Sequence, residues 1–265
     1  MLRQLHSLVT TLGYNCNRQR LIGGRSDGDG IWPICLDGQQ NLLQDRSTVA
    51  VKTIGQRGQT ANRRQTSSRC YVFSLGSNNE FSFDDAMAGP AYNCQVATFD
   101  PTVNWPTGRV MRGSNIAKYG VGVKGHDGRH SFSFEKYRSL QELLDLSMFP
   151  RLNVLKLDVE GSEWTGVLSS VLEMARQKRL DQFLVEVHFI GNEFVGSHRT
   201  RASMDDRSEV AASQMGSFLK SLDSINKEFA LFYSHLNQKS VWVHIPLPFP
   251  CCFELGYIRR GLMPG

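Results

Sequence analysis

The 265-residue sequence lacks long hydrophobic runs, Asn-x-Ser/Thr acceptors and Cys-x-x-Cys pairs. No stretch approaches the ~18 consecutive apolar residues that a membrane span needs. Without Cys-x-x-Cys pairs a zinc cluster is not indicated, and we predict no metal ligands. The first 14 residues space their leucines as a short amphipathic helix does, which is not the pattern of a signal peptide. Cytoplasm is therefore the default localisation.

The six cysteines leave two interpretations open. They are buried or free thiols in a reducing compartment, or they form disulfides in a chain whose targeting segment is missing from this sequence. They are Cys16, Cys35, Cys70, Cys94, Cys251 and Cys252.

An excess of charge is also missing from most of the chain. The net charge is +5, but residues 45–69 hold six basic side chains against Asp45, so the remainder is neutral. The net charge therefore says nothing about a substrate of the remainder. Residues 45–69 contain no aromatic side chain on which bases could stack, which argues against a nucleic-acid partner. We interpret them as a basic, disordered insert.

What the sequence does contain is a regular alternation of strand-like and helical patterns from residue 70 onward. This alternation predicts an α/β fold with a mostly parallel, doubly wound sheet, and the last pieces predict an antiparallel finish. Residues 1–44 form an N-terminal extension with a helix, a Gly/Asp-rich turn and a strand, and 70–265 form the main domain. Predicted strands are 71–75, 95–99, 119–123, 154–159, 183–189, 229–235, 241–245 and 252–258, and predicted helices are 81–87, 139–148, 163–176 and 208–225.

The first loop of this domain is a candidate ligand site. In a doubly wound sheet the ligand binds beyond the carboxyl ends of the strands. Gly76 permits close approach of the backbone, and Asp100 follows 24 residues later, at the distance where an acid can hold ribose hydroxyls. One glycine and no lysine favour a nucleoside cofactor without a pyrophosphate. The structural alternative is a turn glycine and a helix-capping aspartate.

Carboxylates crowd the end of the fourth predicted strand. A packing role does not readily explain Asp158 and Glu160. For Glu163, helix capping is as good an explanation as a functional role. His188 ends the fifth strand, where it is either a general base or a structural histidine. Three acids near 158–163 leave metal dependence open.

The string Leu-Lys-Leu-Asp-Val-Glu-Gly-Ser-Glu at 155–163 resembles the signature of FkbM-type S-adenosylmethionine-dependent methyltransferases. Residues 75–78 resemble the first loop of that family, and 99–101 resemble its second-strand acid and proline. The chain resembles more closely the methyltransferase-like domains of animal proteins in this group. Those carry Ser-x-Gly-x-x-x-Glu-x-Ser-Phe, here 74–83, an N-terminal Trp/Cys stretch, here Trp32 and Cys35, and Cys-x-Glu-Leu, here 252–255. The resemblance covers about 70–260.

The resemblance implies a Rossmann-like class I methyltransferase fold and S-adenosylmethionine as cofactor. Gly76, Ser77 and Asn78 would line the cofactor, Asp100 would hold its ribose, and Asp158 would lie beside its methionine end and the acceptor. The implied reaction is methyl transfer, with an oxygen of an unknown small molecule or glycan as acceptor. Ser74 and Glu80 depart from the general pattern, which has an acid and a third glycine there. The catalytic candidates are Asp158, Glu160 and His188.

Two other functions stay open. The domain could be a catalytically inactive binding module that keeps the fold. It could also be an NAD-dependent oxidoreductase, because residues 120–125 match Gly-x-Gly-x-x-Gly. No apolar helix pattern follows that match, so its required context is missing.

Overall fold

A computed structural model describes residues 2–24, 30–37, 70–124, 136–159, 163, 167–188, 204–237, 242–245, 247–250 and 252–264. The predicted insert at 45–69 and the candidate residue Glu160 lie outside this part of the chain. Within it, no helix is long and apolar enough to cross a membrane.

The N-terminal region forms helix α1 (Leu2–Thr10) and the antiparallel strands β1 (Gln19–Gly23) and β2 (Ile31–Cys35). The rest alternates as predicted. The elements are β3 (Tyr71–Leu75), α2 (Ser82–Ala88), β4 (Gln95–Phe99), β5 (Val110–Arg112), β6 (Ile116–Tyr119), β7 (Gly122–Val123), β8 (Tyr137–Arg138), α3 (Leu140–Ser147), β9 (Leu152–Leu157), α4 (Val167–Arg176), β10 (Leu180–His188), α5 (Met204–Glu228), β11 (Phe229–Leu236), β12 (Trp242–Ile245), β13 (Leu247–Pro250), β14 (Cys252–Arg259) and a final 3-10 turn (Arg260–Leu262).

The central sheet has eight strands in the order β11-β14-β10-β9-β3-β4-β6-β5. Strands β6, β4, β3, β9 and β10 pair in parallel, whereas β14 runs antiparallel between β10 and β11, and β5 is an antiparallel edge strand. From β3 the chain builds the sheet first towards β4 and β6, and then in the other direction through β9 and β10. The order therefore switches between β3 and β9, where a ligand crevice is expected. This is the predicted Rossmann-like α/β fold with an antiparallel C-terminal strand.

The two faces of this sheet have different covers, because successive side chains of each strand point to opposite sides. Helices α1, α3, α4 and α5 cover one face, which we call the helical face, packing on residues such as Phe73, Leu155 and Phe183. The other is the hairpin face, where β1, β2 and α2 pack on residues such as Val72 and Leu184.

The hairpin is bonded to the sheet as well as packed on it. The side-chain amide of Gln182 in β10 accepts from the Cys35 N–H at 2.9 Å and donates to the Cys35 carbonyl at 2.8 Å. Trp32, a residue of hairpin strand β2, is only 1% exposed. The N-terminal extension therefore closes one side of the main domain.

Disulfides, not free thiols, are present among the described cysteines. Cys16 is bonded to Cys35 and Cys70 to Cys94, and Cys252 is also disulfide-bonded. The interpretation of buried or free thiols is therefore wrong for these five residues, and the alternative of disulfides is confirmed. The first bond fixes β2, and the second joins the beginnings of β3 and β4.

The third predicted strand is misplaced. The sequence predicts a strand at 119–123, but β6 ends at Tyr119 and the next pair, Gly122–Val123, joins a separate two-stranded sheet with β8. The chain turns at Gly120, whose N–H donates to the Pro106 carbonyl at 2.7 Å. A Cβ at Gly120 would lie 2.1 Å from the Trp105 carbonyl oxygen, so only glycine fits there. The short strands β1 and β5 are not predicted by the sequence.

Candidate active site

The loop after β3 lies at the switch in strand order. Gly76 has a φ of 76°, and its N–H donates to the Phe99 carbonyl of β4 at 2.9 Å. A Cβ at Gly76 would lie 1.6 Å from the Asp158 carbonyl oxygen, so this loop approaches the end of β9 more closely than any side chain would allow. Asn78 and Asn79 continue in the left-handed region at φ 45° and 61°. Gly76 thus brings the first loop against the end of β9, and its approach to a ligand stays a prediction.

Asp100 is hydrogen-bonded to this loop. Its Oδ2 accepts from the N–H groups of Ser77 at 3.0 Å and Asn78 at 2.7 Å. Its Oδ1 accepts from the Thr102 N–H at 2.9 Å and hydroxyl at 2.6 Å. Burial by itself would raise the pKa of Asp100, but these hydrogen bonds together outweigh it and lower the pKa. The carboxylate therefore holds the loop in place.

Lys156 supports the same loop from below. Its buried ammonium donates to the Gly76 carbonyl at 2.7 Å and lies 3.8 Å from Asp158 Oδ2. It also lies 4.9 Å from the ring centroid of Trp32, within cation–π distance. A residue of the N-terminal hairpin thus packs on the lysine that holds the first loop. Ser77 Oγ is buried there and has no hydrogen-bond partner among the residues that the structure describes.

The acid missing from the end of β3 is supplied by helix α2. Ser74 stands where the family pattern has an acid, and its hydroxyl donates to Asp84 Oδ2 at 3.2 Å. Thr98 in β4 donates to the other oxygen of Asp84. Burial raises the pKa of Asp84, against these hydrogen bonds and the charge of Lys156, which lower it. A carboxyl group therefore lies behind the loop although the strand itself carries none.

Beside the loop, Asp158, Glu163 and His188 form a cluster at the ends of β9 and β10. His188 Nδ1 lies 3.1 Å from Glu163 Oε1, and His188 Nε2 lies 3.9 Å from Asp158 Oδ1. The Glu163 side chain is fully buried, whereas that of Asp158 is 28% exposed. Glu163 thus contacts the histidine with one carboxylate oxygen.

The cluster continues onto β11 and β14. Glu186 Oε2 lies 4.0 Å from His188 Nε2, and its Oε1 accepts from the Asn237 side chain at 3.0 Å. Glu254 lies opposite Glu186 in register and is 3.1 Å from His235 Nδ1. Three acids, Asp158, Glu163 and Glu186, therefore lie within 4.0 Å of the His188 imidazole.

The charges of this cluster are strongly coupled. Burial by itself would lower the pKa of His188, but the hydrogen bond and charge of Glu163, with Glu186 and Asp158, raise it to about 10. Burial and the charge of Asp158 raise the pKa of Glu186 to about 7. Burial also raises the pKa of Glu163, partly offset by His188. These shifts favour an imidazolium at His188 that donates hydrogen bonds to the surrounding acids.

Potential metal donors converge at two places in the described part of the chain. The groups are Cys16, Cys35 and Asp37, and Glu186, His188 and Cys252. Each cysteine in them is disulfide-bonded. Neither group therefore offers a thiolate ligand.

The structure brings most predicted site residues together. Gly76, Ser77, Asn78 and Asp100 form one hydrogen-bonded unit, and Asp158 and His188 lie beside it. Sequence reasoning missed Glu186 and Asp84. Glu186 had a signal, because it is two residues before His188 and so shares its face of β10. Asp84 had none, because its role depends on how α2 packs.

The glycine pattern at 120–125 has no comparable position. Gly120 follows β6, at the side of the sheet away from the switch point, and Gly122 belongs to a small separate sheet.

Comparison with known proteins follows the same direction. A family described as "Methyltransferase domain" matches residues 11–234. Probable methyltransferase-like protein 24 of Homo sapiens is 26% identical over 237 residues, covering 86% of this chain and 55% of the relative. Its counterpart in Rattus norvegicus is 23% identical over 215 residues, covering 77% of this chain and 48% of the relative. The chain spans about half the length of these curated relatives. With a family match over most of its length and a Rossmann-like sheet that places a glycine loop at the switch point, the chain belongs to the methyltransferase domain family.

Proposed function

We propose that this chain transfers a methyl group from S-adenosylmethionine to an oxygen of a small-molecule or glycan acceptor. The observation that carries the proposal is the loop at Gly76–Asn78, hydrogen-bonded to Asp100 at the switch in strand order. Family membership supports methyl transfer, and the likeness of 155–163 to the FkbM signature supports that subgroup.

The residues of the loop fit a nucleoside cofactor. Ser77 Oγ is a buried polar atom with no hydrogen-bond partner in the described part of the chain, and a polar ligand would satisfy it. Gly76, Ser77, Asn78 and Asp100 would hold the adenosine part, and Asp158 the methionine end. Each carboxylate oxygen of Asp100 already accepts two hydrogen bonds, so a ribose hydroxyl would replace one of these donors. One of the four donors, the Thr102 hydroxyl, belongs to an exposed residue. When bound, S-adenosylmethionine supplies an electrophilic methyl group on a sulfonium.

The chain's own residues orient the acceptor and take its proton. Transfer to a hydroxyl forms one C–O bond, breaks one S–C bond and releases one proton, while the sulfonium becomes a thioether. Asp158, as a partly exposed carboxylate, is the described group placed to receive that proton. Glu160 is kept as a second candidate from the sequence. His188, a cation at neutral pH, would donate a hydrogen bond to the acceptor or to Asp158.

The test is binding of S-adenosylhomocysteine by calorimetry. We expect Asp100→Ala to weaken binding on the order of 100-fold, because both the loop and the ribose lose their acceptor. Thr102→Ala is the matched control, since it leaves the bonds from Ser77 and Asn78 intact, and it should cost tenfold or less. Unchanged affinity in Asp100→Ala would show that the ribose site is elsewhere. Asp158→Asn should reduce turnover more than binding.

A non-catalytic binding module is the second candidate. The occupied oxygens of Asp100 and the serine at position 74 are the observations that favour it. The same calorimetry separates the two functions. Micromolar binding of S-adenosylhomocysteine supports the enzyme, and no binding at millimolar ligand supports the module.

We also infer that the protein works in an oxidising compartment. Cys16–Cys35 and Cys70–Cys94 close two loops of the fold, and structural disulfides persist in secretory and extracellular environments. This replaces the cytoplasmic default. Peptide mapping under non-reducing conditions, on protein purified from its native cells, should find both cross-links, and reduced thiols at these four positions would contradict the inference.

A further inference from the structure

Glu163 is buried in a way that packing does not explain. Its side chain has no exposed surface, yet Oε2 has no hydrogen-bond partner among the described residues. Its Oε1 accepts weakly from the Val159 N–H at 3.4 Å and lies 3.1 Å from His188 Nδ1. A buried carboxylate is costly unless it is paired, so its main compensation is the histidine.

Glu163 holds one ring nitrogen of His188, and the other ring nitrogen faces two further acids. With Nδ1 on Glu163, Nε2 lies between Asp158 Oδ1 at 3.9 Å and Glu186 Oε2 at 4.0 Å. Asp158 directly follows β9 and Glu186 lies in the neighbouring strand β10, at the carboxyl ends of these strands beside the first loop. A carboxylate that binds one imidazole nitrogen fixes the orientation of the ring, and so the direction in which the other nitrogen points.

We infer that Glu163 is a positioning residue of this site: it holds His188 so that Nε2–H is directed at Asp158 and Glu186. The inference rests on the proposed methyl transfer. Its consequence is that one imidazolium lies between two acids that would otherwise repel each other, with Asp158 on the side where an acceptor's proton would be received.

Other charged groups also face this unit. Lys156 lies 3.8 Å from Asp158 Oδ2, on the side away from the histidine. Glu186 faces Asn237, which directly follows β11, and, across the register, Glu254 of β14. Removing the Glu163 carboxylate takes away the charge and hydrogen bond at Nδ1, whereas the acids at about 4 Å from Nε2 remain, so the imidazole should lose its proton at lower pH.

The experiment is an NMR titration of the cofactor-free protein with ¹³C,¹⁵N-labelled histidine, assigned with His188→Gln. In the wild type we expect His188 to stay protonated above pH 8, with a hydrogen-bonded Nδ1 proton. Glu163→Gln should lower its midpoint by two pH units or more. The matched control is Glu254→Gln, which removes a buried acid beside His235 and should move the His188 midpoint by less than half a unit.

The outcomes separate this inference from the proposed function. Wild-type protein that binds S-adenosylhomocysteine while the His188 midpoint is unchanged in Glu163→Gln would overturn the positioning role alone. Wild-type protein that binds no S-adenosylhomocysteine would overturn the proposed function and this role with it. If Glu163→Gln does not fold, Glu163→Asp and the wild-type spectrum decide, because a wild-type His188 that titrates near pH 6.5 overturns the inference.

Discussion

The two faces of the sheet carry different kinds of buried side chain. On the helical face, Phe73, Leu155 and Phe183 pack against four helices. On the hairpin face, Lys156, Glu186 and His188 lie in the same strands, alternating with apolar residues. The two faces therefore differ in role. Helices stabilise one face, and a hairpin cross-linked by its own disulfide covers the face that carries the charges of the candidate site.

The buried polar groups of the helical face lie at the amino ends of the strands, the end opposite to the candidate site. Asn153 donates to Asp181 at 3.0 Å, and Arg259 pairs with Asp181 at 3.2 Å, where β9 and β10 begin. These groups satisfy one another at the amino ends of the strands. The hairpin-face acids meet at the carboxyl ends, where ligands of such sheets bind. Position along the strand, as well as the face, therefore distinguishes structural from functional polar residues.

The largest expected effects come from the aromatic residue at the centre of each face. Trp32→Ala and Phe183→Ala should each lower the free energy of unfolding by about 3–5 kcal/mol, because both rings are at most 1% exposed. Only the tryptophan touches Lys156, the lysine that holds the Gly76 carbonyl. We therefore expect Trp32→Ala, and not Phe183→Ala, to weaken S-adenosylhomocysteine binding tenfold or more. The milder Trp32→Phe and Phe183→Leu serve if the alanine variants do not fold. Equal effects on binding would remove the functional distinction between the faces.

The two disulfides of the hairpin face should differ in the same way. They join cysteines separated by 19 and 24 residues, so each should contribute about 3 kcal/mol to the free energy of unfolding. Cys16→Ser/Cys35→Ser releases the hairpin and should also weaken S-adenosylhomocysteine binding. Cys70→Ser/Cys94→Ser loosens the beginnings of β3 and β4, far along the strands from the first loop, and should leave binding unchanged. Denaturant unfolding and calorimetry on both double variants measure this, and loss of binding in the second would contradict it.

The pH dependence of stability should also separate the faces. Because the pKa of His188 is raised to about 10 in the folded protein, its stabilisation is complete below about pH 6.5 and is lost as the pH rises towards 10. A hydrogen bond to a charged group amounts to about 1.5–3 kcal/mol. His188→Gln should therefore flatten the decline in unfolding free energy between pH 7 and 10 in urea titrations. Phe183→Leu is the control from the helical face, and its deficit should be the same at every pH. A wild-type stability that rises over this range would refute the assignment.

How far the sequence predicts this molecule depends on whether a feature is local. Strands β3 and β4 are predicted to the residue, because apolar runs between turn signals show them directly. The loop at Gly76 and Asp100 are predicted to meet because both follow parallel strands. The pairing of Glu186 with Glu254 and the bond from Gln182 to the hairpin depend on register and on layer packing, which no local pattern encodes. The disulfide partners could not be predicted either, because six cysteines allow 15 pairings.

The smallest effect should come from the basic segment at 45–69, which joins the hairpin to the main domain and lies outside the described residues. Its deletion removes the whole net charge of +5, yet the hairpin keeps its hydrogen bonds to Gln182 of the sheet and its internal Cys16–Cys35 cross-link. The entropy of loop closure changes the free energy of unfolding by only about 0.6 kcal/mol for each halving of the length of a connection. We therefore expect a folded, near-neutral protein that binds S-adenosylhomocysteine within twofold of the wild type, measured by denaturant unfolding and calorimetry. A matched variant that replaces the six basic residues by glutamine separates length from charge. Loss of the fold on deletion alone would mean that the segment is part of the hairpin layer, and then the hairpin face would need its connection as well as its disulfides to stay closed.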